Sequence, residues 1–189
     1  MVGRRSNLDA LSRARQFSLA GLLGALALLL PIGFHALGWG GRILLPMHLP
    51  IVIAGFLLEP GLAVSLGLIV PLLSAVLTGM PPLAPPMALL MSVELAVKAG
   101  AASVLYRRLH APMWAVLPLA IAADWAVLGA AALLAAKFFV IQSSPIKYVI
   151  AAILLSLPGT VLQLAAVPAV VLTIERRIPS LRRKKGEPA

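Results

Sequence analysis

The chain has 189 residues, of which 61% are hydrophobic and 12% are charged, with 16 Lys or Arg against 6 Asp or Glu. A mean hydropathy of +1.01 lies outside the range of water-soluble domains and indicates an integral membrane protein. The absence of cysteine from the sequence excludes disulfides, thiol chemistry and Cys-ligated metals. The sequence also lacks the ten-residue alternation of a membrane β-barrel, so the expected fold class is all-α.

Six apolar segments predict membrane helices, because about 20 residues are needed to cross the hydrocarbon core. In chain order they lie at about 17–37, 49–58, 61–78, 87–106, 112–136 and 146–174. The second segment makes only about 15 Å of helix, so it either is tilted and extended by loop residues or begins below the membrane surface. Residues 1–178 are expected to form one transmembrane substrate-binding domain, and residues 179–189 a disordered basic cytoplasmic tail.

The basic residues flank the apolar segments, which is the distribution that the positive-inside bias produces. They precede the first segment, join the fourth to the fifth and follow the last: Arg4, Arg5, Arg13, Arg15, Arg107, Arg108, Arg176, Arg177, Arg182, Arg183, Lys184 and Lys185. This arrangement argues against nucleic acid as a partner and places both termini in the cytoplasm, which requires an even number of spans. We therefore expect a six-transmembrane-helix bundle in a prokaryotic cytoplasmic (inner) membrane.

Four polar side chains fall within the apolar segments, where a charge is costly enough to suggest function. Glu94 and Lys98 lie four residues apart on one helix face, so they either neutralise each other or face a ligand. Asp124 has no charged neighbour within a helical turn, so it either contacts ligand or pairs with another helix, with Lys98 as a candidate. Gln163 offers donors and an acceptor without a charge, and equally suits a neutral ligand or a bridge between helices.

Two connections on the predicted outer side are further candidates for ligand contact. The first, GFHALGWGGRILLPMH, carries Trp39 and ends at His48. Trp39 could stack on a flat ligand or anchor at the interface, and His48 could bind a ligand, cap the second helix or face water. The other, TGMPPLAPPM, contains Met80 and four prolines that predict a stiff lid. We expect no metal site, because His35 and His110 are not placed to join His48.

Small residues in the first segment form two pairs spaced by four, Ala20 with Gly24 and Gly21 with Ala25. Such stripes let helices approach closely in lipid. These four residues therefore serve either packing within the chain or docking on a partner membrane protein.

Sequence motifs for catalysis are missing. The chain contains no GxxxxGK[ST] phosphate loop, no HExxH and no GxSxG. No pair of closely spaced carboxylates suggests acid–base catalysis. We therefore expect no enzyme activity, no catalytic residue and no ATP hydrolysis by this chain.

Taken together, these segments resemble the substrate-binding S components of energy-coupling factor (ECF) transporters, which import vitamins and related micronutrients into prokaryotes. The likeness rests on the small-residue first helix, on LPMHLPIVIAGFLLEP followed by GLIVPLLSAVLTGMPP, on MSVELAVKAGAASVLY and on PGTVLQLAAVPAVVL. It implies six helices, a ligand pocket near the outer face, and a complex with a membrane scaffold subunit and two cytoplasmic ATPases. It also implies docking on the scaffold through Ala20, Gly24 and their neighbours, and toppling of the loaded subunit in the membrane.

The expected function is high-affinity binding of a vitamin or cofactor precursor for an ECF-type transporter whose partners hydrolyse ATP. The candidate substrate-binding residues are Trp39, His48, Met80, Glu94, Lys98, Asp124 and Gln163. Two alternatives are a non-transport membrane scaffold of cell-envelope assembly and a self-sufficient channel or transporter. The ligand stays open, because Lys98 suits a carboxylate such as pantothenate, whereas Trp39 suits a benzimidazole riboside or a thiamine precursor.

Overall fold

The computed structural model describes residues 2–36, 44–83, 87–138 and 145–178, and every regular element in those ranges is helical. The helices are α1 (Val2–Ala36), α2 (His48–Leu57), α3 (Pro60–Thr78), α4 (Met87–Ser103), α5 (Met113–Phe138) and α6 (Pro145–Arg177), with a π-helical turn at Val104–Arg108 that continues α4. Each predicted apolar segment coincides with one helix. The main difference is in α1, which begins well before the apolar run and so extends beyond a single membrane span.

Five of the helices contain stretches long and apolar enough to cross a membrane. These stretches are Arg13–Phe34, Pro60–Thr78, Met87–Arg108, Met113–Leu134 and Val149–Arg177. Large apolar side chains cover their outward faces, with Val76 exposed by 73% and Trp114 by 80%, as expected of surfaces that meet lipid tails. The described helices are therefore those of a multi-pass membrane protein.

Helix α2 is the exception, because its 10 residues rise only about 15 Å. All of its residues except Leu49 are buried, and it packs against α1, α3, α4 and α6. A helix that is apolar all round is stable only where it is enclosed, and here the longer helices enclose it. Gly55 permits the closest approach, since a Cβ there would lie 2.7 Å from the Ala99 carbonyl oxygen.

Helices α3 and α4 pack against each other through a second close approach at glycine. A Cβ built on Gly67 would lie 2.5 Å from the Cα and the nitrogen of Ala96. No side chain larger than hydrogen fits there without separating the two helices. This contact holds α3 against the middle of α4.

Polar contacts tie four helices together at one end of the bundle. Glu59, at the start of α3, accepts a hydrogen bond from Arg107 at 2.8 Å and donates its backbone N–H to Gln16 of α1 at 3.0 Å. The Tyr106 hydroxyl lies 3.2 Å from both carboxylate oxygens of Glu175 on α6. We call the region defined by these five residues the Arg107 end. Gln16 lies near the start of the apolar part of α1, and Glu175 lies in the last turn of α6.

The same end carries exposed basic residues from three helices. They are Arg13, Arg15, Arg108, Arg176 and Arg177. Helix α1 runs away from the Arg107 end, whereas α2 ends at the Arg107 end with Leu57. The chain therefore comes back to this end before α3 begins, although α2 is short.

Candidate functional site

Helices α2 and α4 bring two polar side chains to the same depth inside the bundle. Near the Arg107 end, the rings of Phe56 and Tyr106 are in edge-to-face contact with centroids 4.9 Å apart. Eight positions earlier along each helix lie His48 and Lys98, a rise of about 12 Å in both cases. The shared rise places both side chains near the middle of the bundle, about halfway along α4.

Lys98 is the centre of the contacts at this depth. Its ammonium donates a hydrogen bond to Oδ2 of Asp124 at 2.7 Å and lies 3.3 Å from Nδ1 of His48. Lys98 is 1% exposed, His48 5% and Asp124 6%, so the salt bridge and the contact with His48 are both buried. Three helices, α2, α4 and α5, are linked by these contacts.

The structure thus decides between two pairings considered for Lys98. Its salt bridge is with Asp124 across helices, and no salt bridge between Lys98 and Glu94 is found among the described residues. The spacing of four along α4 allows a contact with Glu94, but Asp124 compensates the buried ammonium from the neighbouring helix instead. Burial of His48 also excludes the interpretation that this side chain faces water.

Several buried polar atoms of α4, α5 and α6 have no hydrogen-bond partner in the described part of the chain. They are Oε1 of Glu94, Oδ1 of Asp124, and both Nε2 and Oε1 of Gln163. An unsatisfied buried polar group costs about 1–3 kcal/mol, and native interiors satisfy nearly all of them. These atoms are therefore the ones that a bound polar molecule could satisfy.

Glu94 and Gln163 are further polar residues near the depth of the ion pair. Glu94 lies one helical turn from Lys98 on α4, away from the Arg107 end, and is close enough to interact electrostatically with Asp124 and Lys98. Gln163 is 1% exposed and lies twelve positions before Glu175 on α6, a rise of about 18 Å. That places Gln163 within about one turn of the depth of Lys98. We call His48, Glu94, Lys98, Asp124 and Gln163 the polar cluster.

Two other candidate residues lie elsewhere. The Met80 side chain is 55% exposed in the turn that follows α3, and the Met80 carbonyl accepts a hydrogen bond from the Ser74 hydroxyl at 2.7 Å. Met80 therefore does not join the polar cluster. Trp39 and the basic tail at 179–189 lie outside the described residues.

The four small residues of α1 divide into two faces. Ala20 is 8% exposed, and Gly24 is buried where an added Cβ would lie 3.1 Å from a methyl group of Leu66. Gly21 and Ala25 are exposed instead. Ala20 and Gly24 thus pack against this chain's own helices, as the packing alternative has it, and Gly21 and Ala25 of these four face outward; docking of a partner on α1 stays a prediction.

The contacts at the Arg107 end were not anticipated from the sequence. Tyr106 and Glu175 are both buried, and Arg107 also donates to the carbonyl of Leu57 at 3.0 Å, where α2 ends. The only signal was that a tyrosine, an arginine and a glutamate stood at the ends of apolar segments, which is equally typical of residues that face water.

No group of three or more His, Asp or Glu residues able to hold a metal is found in the described ranges. Comparisons with known proteins give no family model that matches the chain and no significant match to a curated protein or a solved structure. The chemistry of the polar cluster is therefore the basis on which a function can be argued.

Proposed function

We propose that this chain binds a small polar nutrient, a vitamin or a cofactor precursor, within the membrane, and serves as the S component of an ECF-type transporter. The observation that carries the proposal is the polar cluster. Its five side chains come from four helices and are held near mid-depth, yet four of its polar atoms have no partner among the described residues. Side chains that only joined helices would pair with one another, as Lys98 and Asp124 do.

The distribution of charge supports a topology for this function. The exposed arginines gather at the Arg107 end, and basic residues favour the cytoplasmic side, so we infer that both termini are cytoplasmic. Helix α2 would then belong to the second of six crossings. Glu94 lies on the side of Lys98 that faces away from the Arg107 end, so a ligand would enter from the outer side of the membrane.

The partners follow from what the chain lacks and what it exposes. Its sequence has no phosphate loop, so transport against a gradient would draw on ATPases supplied by other subunits, coupled through a membrane scaffold. The exposed small residues Gly21 and Ala25 leave one face of α1 on which a helix of that scaffold could pack closely.

The test is identification of the bound molecule. The full chain is purified from its native membrane and denatured, and the extract is analysed by mass spectrometry beside two variants of α6. Gln163→Leu removes two unpartnered atoms of the cluster, and Ser156→Ala is the matched control, since the Ser156 hydroxyl donates to the Ile153 carbonyl of the same helix. We expect one small molecule to be released from the wild type and Ser156→Ala, and much less from Gln163→Leu.

The proposal fails if the wild-type protein releases no molecule and no member of a vitamin panel raises its melting temperature. An envelope scaffold would instead keep its cellular function in the Gln163→Leu variant. A self-sufficient transporter would accumulate the identified molecule in liposomes that contain this chain alone, without ATP, whereas we expect uptake only with the partner subunits present.

A further inference from the structure

The contacts of Lys98 bear on the chemistry of the ligand, in an argument that rests on the proposed function. The sequence suggested that this ammonium could receive a carboxylate from the ligand. In the structure it already donates to Asp124 at 2.7 Å and lies 3.3 Å from His48. An ammonium has three N–H donors, so a ligand carboxylate could accept from the one that these two contacts do not use, but it would bring a further negative charge beside Asp124 inside the bundle, which is costly.

The atoms left without partners are mostly acceptors. Glu94 Oε1, Asp124 Oδ1 and Gln163 Oε1 can accept hydrogen bonds, whereas Gln163 Nε2 is the single donor among them. A ligand that satisfies this set must present more N–H or O–H donors than acceptors. A carboxylate group, which only accepts, is complementary to one atom of the four.

The charges lead to the same conclusion. Lys98 and Asp124 compensate each other, and His48 supplies no second salt bridge among the described residues, so no basic side chain of the cluster remains to compensate an ionised Glu94. The N-terminus of α2 adds only about half a positive charge. A positive charge on the ligand would compensate the negative charge of an ionised Glu94.

We infer that the polar cluster binds the nitrogen-rich, cationic or N–H-donating end of a small molecule, such as a protonated amine, an amidine or an amino-substituted heterocycle. Glu94 and Asp124 accept its hydrogen bonds, and Gln163 contributes one acceptor and one donor. Lys98 does not contact the ligand in this arrangement; it positions Asp124 so that one carboxylate oxygen stays available.

The experiment measures binding to the full chain in detergent by thermal shift and titration calorimetry. Thiamine and a benzimidazole riboside are the nitrogen-rich probes, and pantothenate and biotin are the carboxylate probes. The variants are Glu94→Gln, which keeps the shape of the side chain and removes its charge, and Glu59→Gln, the same change at an exposed carboxylate of the Arg107 end. The melting temperature of each ligand-free variant shows that it is folded.

We expect a nitrogen-rich probe to bind more tightly than either carboxylate probe, Glu94→Gln to weaken that binding at least tenfold, and Glu59→Gln to leave it unchanged. Tighter binding of pantothenate or biotin, no binding of the nitrogen-rich probes, or an unchanged affinity in Glu94→Gln would each overturn the inference. A carboxylic acid released from the purified protein would overturn it while leaving the proposed function intact, whereas release of no molecule at all would count against both.

Discussion

Removal of the Lys98 ammonium is the sharpest test of the core of this structure. Lys98→Met retains most of the side chain's apolar volume and leaves the Asp124 carboxylate, which is 6% exposed, without its salt-bridge partner. We expect this single substitution to lower the free energy of unfolding by about 3–5 kcal/mol, the usual cost of removing one partner from a buried ion pair.

The magnitude follows from the geometry. At the observed separation of 2.7 Å and an effective dielectric constant near 20, the attraction is about 6 kcal/mol. Most of it offsets the desolvation of the two groups, so the pair contributes little net stability, but the loss of one partner exposes the full cost of the other. The double variant Lys98→Met/Asp124→Leu should therefore have a free energy of unfolding within about 1 kcal/mol of that of the wild type.

The assay is reversible unfolding in mixed micelles with increasing mole fraction of a denaturing detergent, followed by circular dichroism. The control is Lys147→Met, because Lys147 is exposed and its substitution should change stability by less than about 0.5 kcal/mol. Lys98→Met, Asp124→Leu and the double variant form a cycle whose coupling energy we expect to exceed about 2 kcal/mol. If Lys98→Met costs less than about 1 kcal/mol, or if the single costs simply add, the buried ion pair is not as described.

Two further substitutions test the packing and the Arg107 end by the same unfolding measurement. Gly67→Ala should lower the free energy of unfolding by about 1–3 kcal/mol or more, because its Cβ would lie 2.5 Å from Ala96. Gly21→Ala, with open space around it, should leave that free energy unchanged or raise it by up to about 1 kcal/mol. Equal effects at both positions would contradict the close packing of α3 and α4. Tyr106→Phe should cost about 1.5–3 kcal/mol, the range for a hydrogen bond to a charged group, and a loss below about 0.5 kcal/mol would show that its hydroxyl does not hold Glu175.

The sequence predicted the helices well because apolar runs bounded by basic or turn-forming residues are nearly sufficient to define membrane helices. It also named Lys98 as a candidate partner for Asp124, since a lone buried carboxylate requires one. It did not decide between that pairing and Glu94, because spacing along one helix is visible in a sequence whereas the relative depth of two helices is not. That depth depends on contacts such as Gly67 against Ala96, which only the packed bundle reveals.

The small residues of α1 are a second case in which the sequence does not reveal how helices are placed relative to one another. Two pairs spaced by four were evident, but the rotation of α1 about its axis decides which pair faces the protein. Packing of Gly24 against Leu66 fixes that rotation and turns Gly21 and Ala25 outward. A stripe of small residues therefore predicts close packing without saying whether the neighbour belongs to the same chain.

The short length of α2 and the position of the polar cluster have a common structural cause. Because α2 begins at mid-depth, the residues just before it are non-helical inside the bundle; Leu45 has a φ of 49° and its carbonyl accepts the His48 N–H at 3.0 Å. No side chain caps this helix end at Met47. Irregular backbone at membrane depth persists only where protein or a polar site satisfies it, and broken helices in transporters place their ends at binding sites. The short α2 thus places its first residue, His48, at the depth of Lys98, where the side chains of the two residues meet.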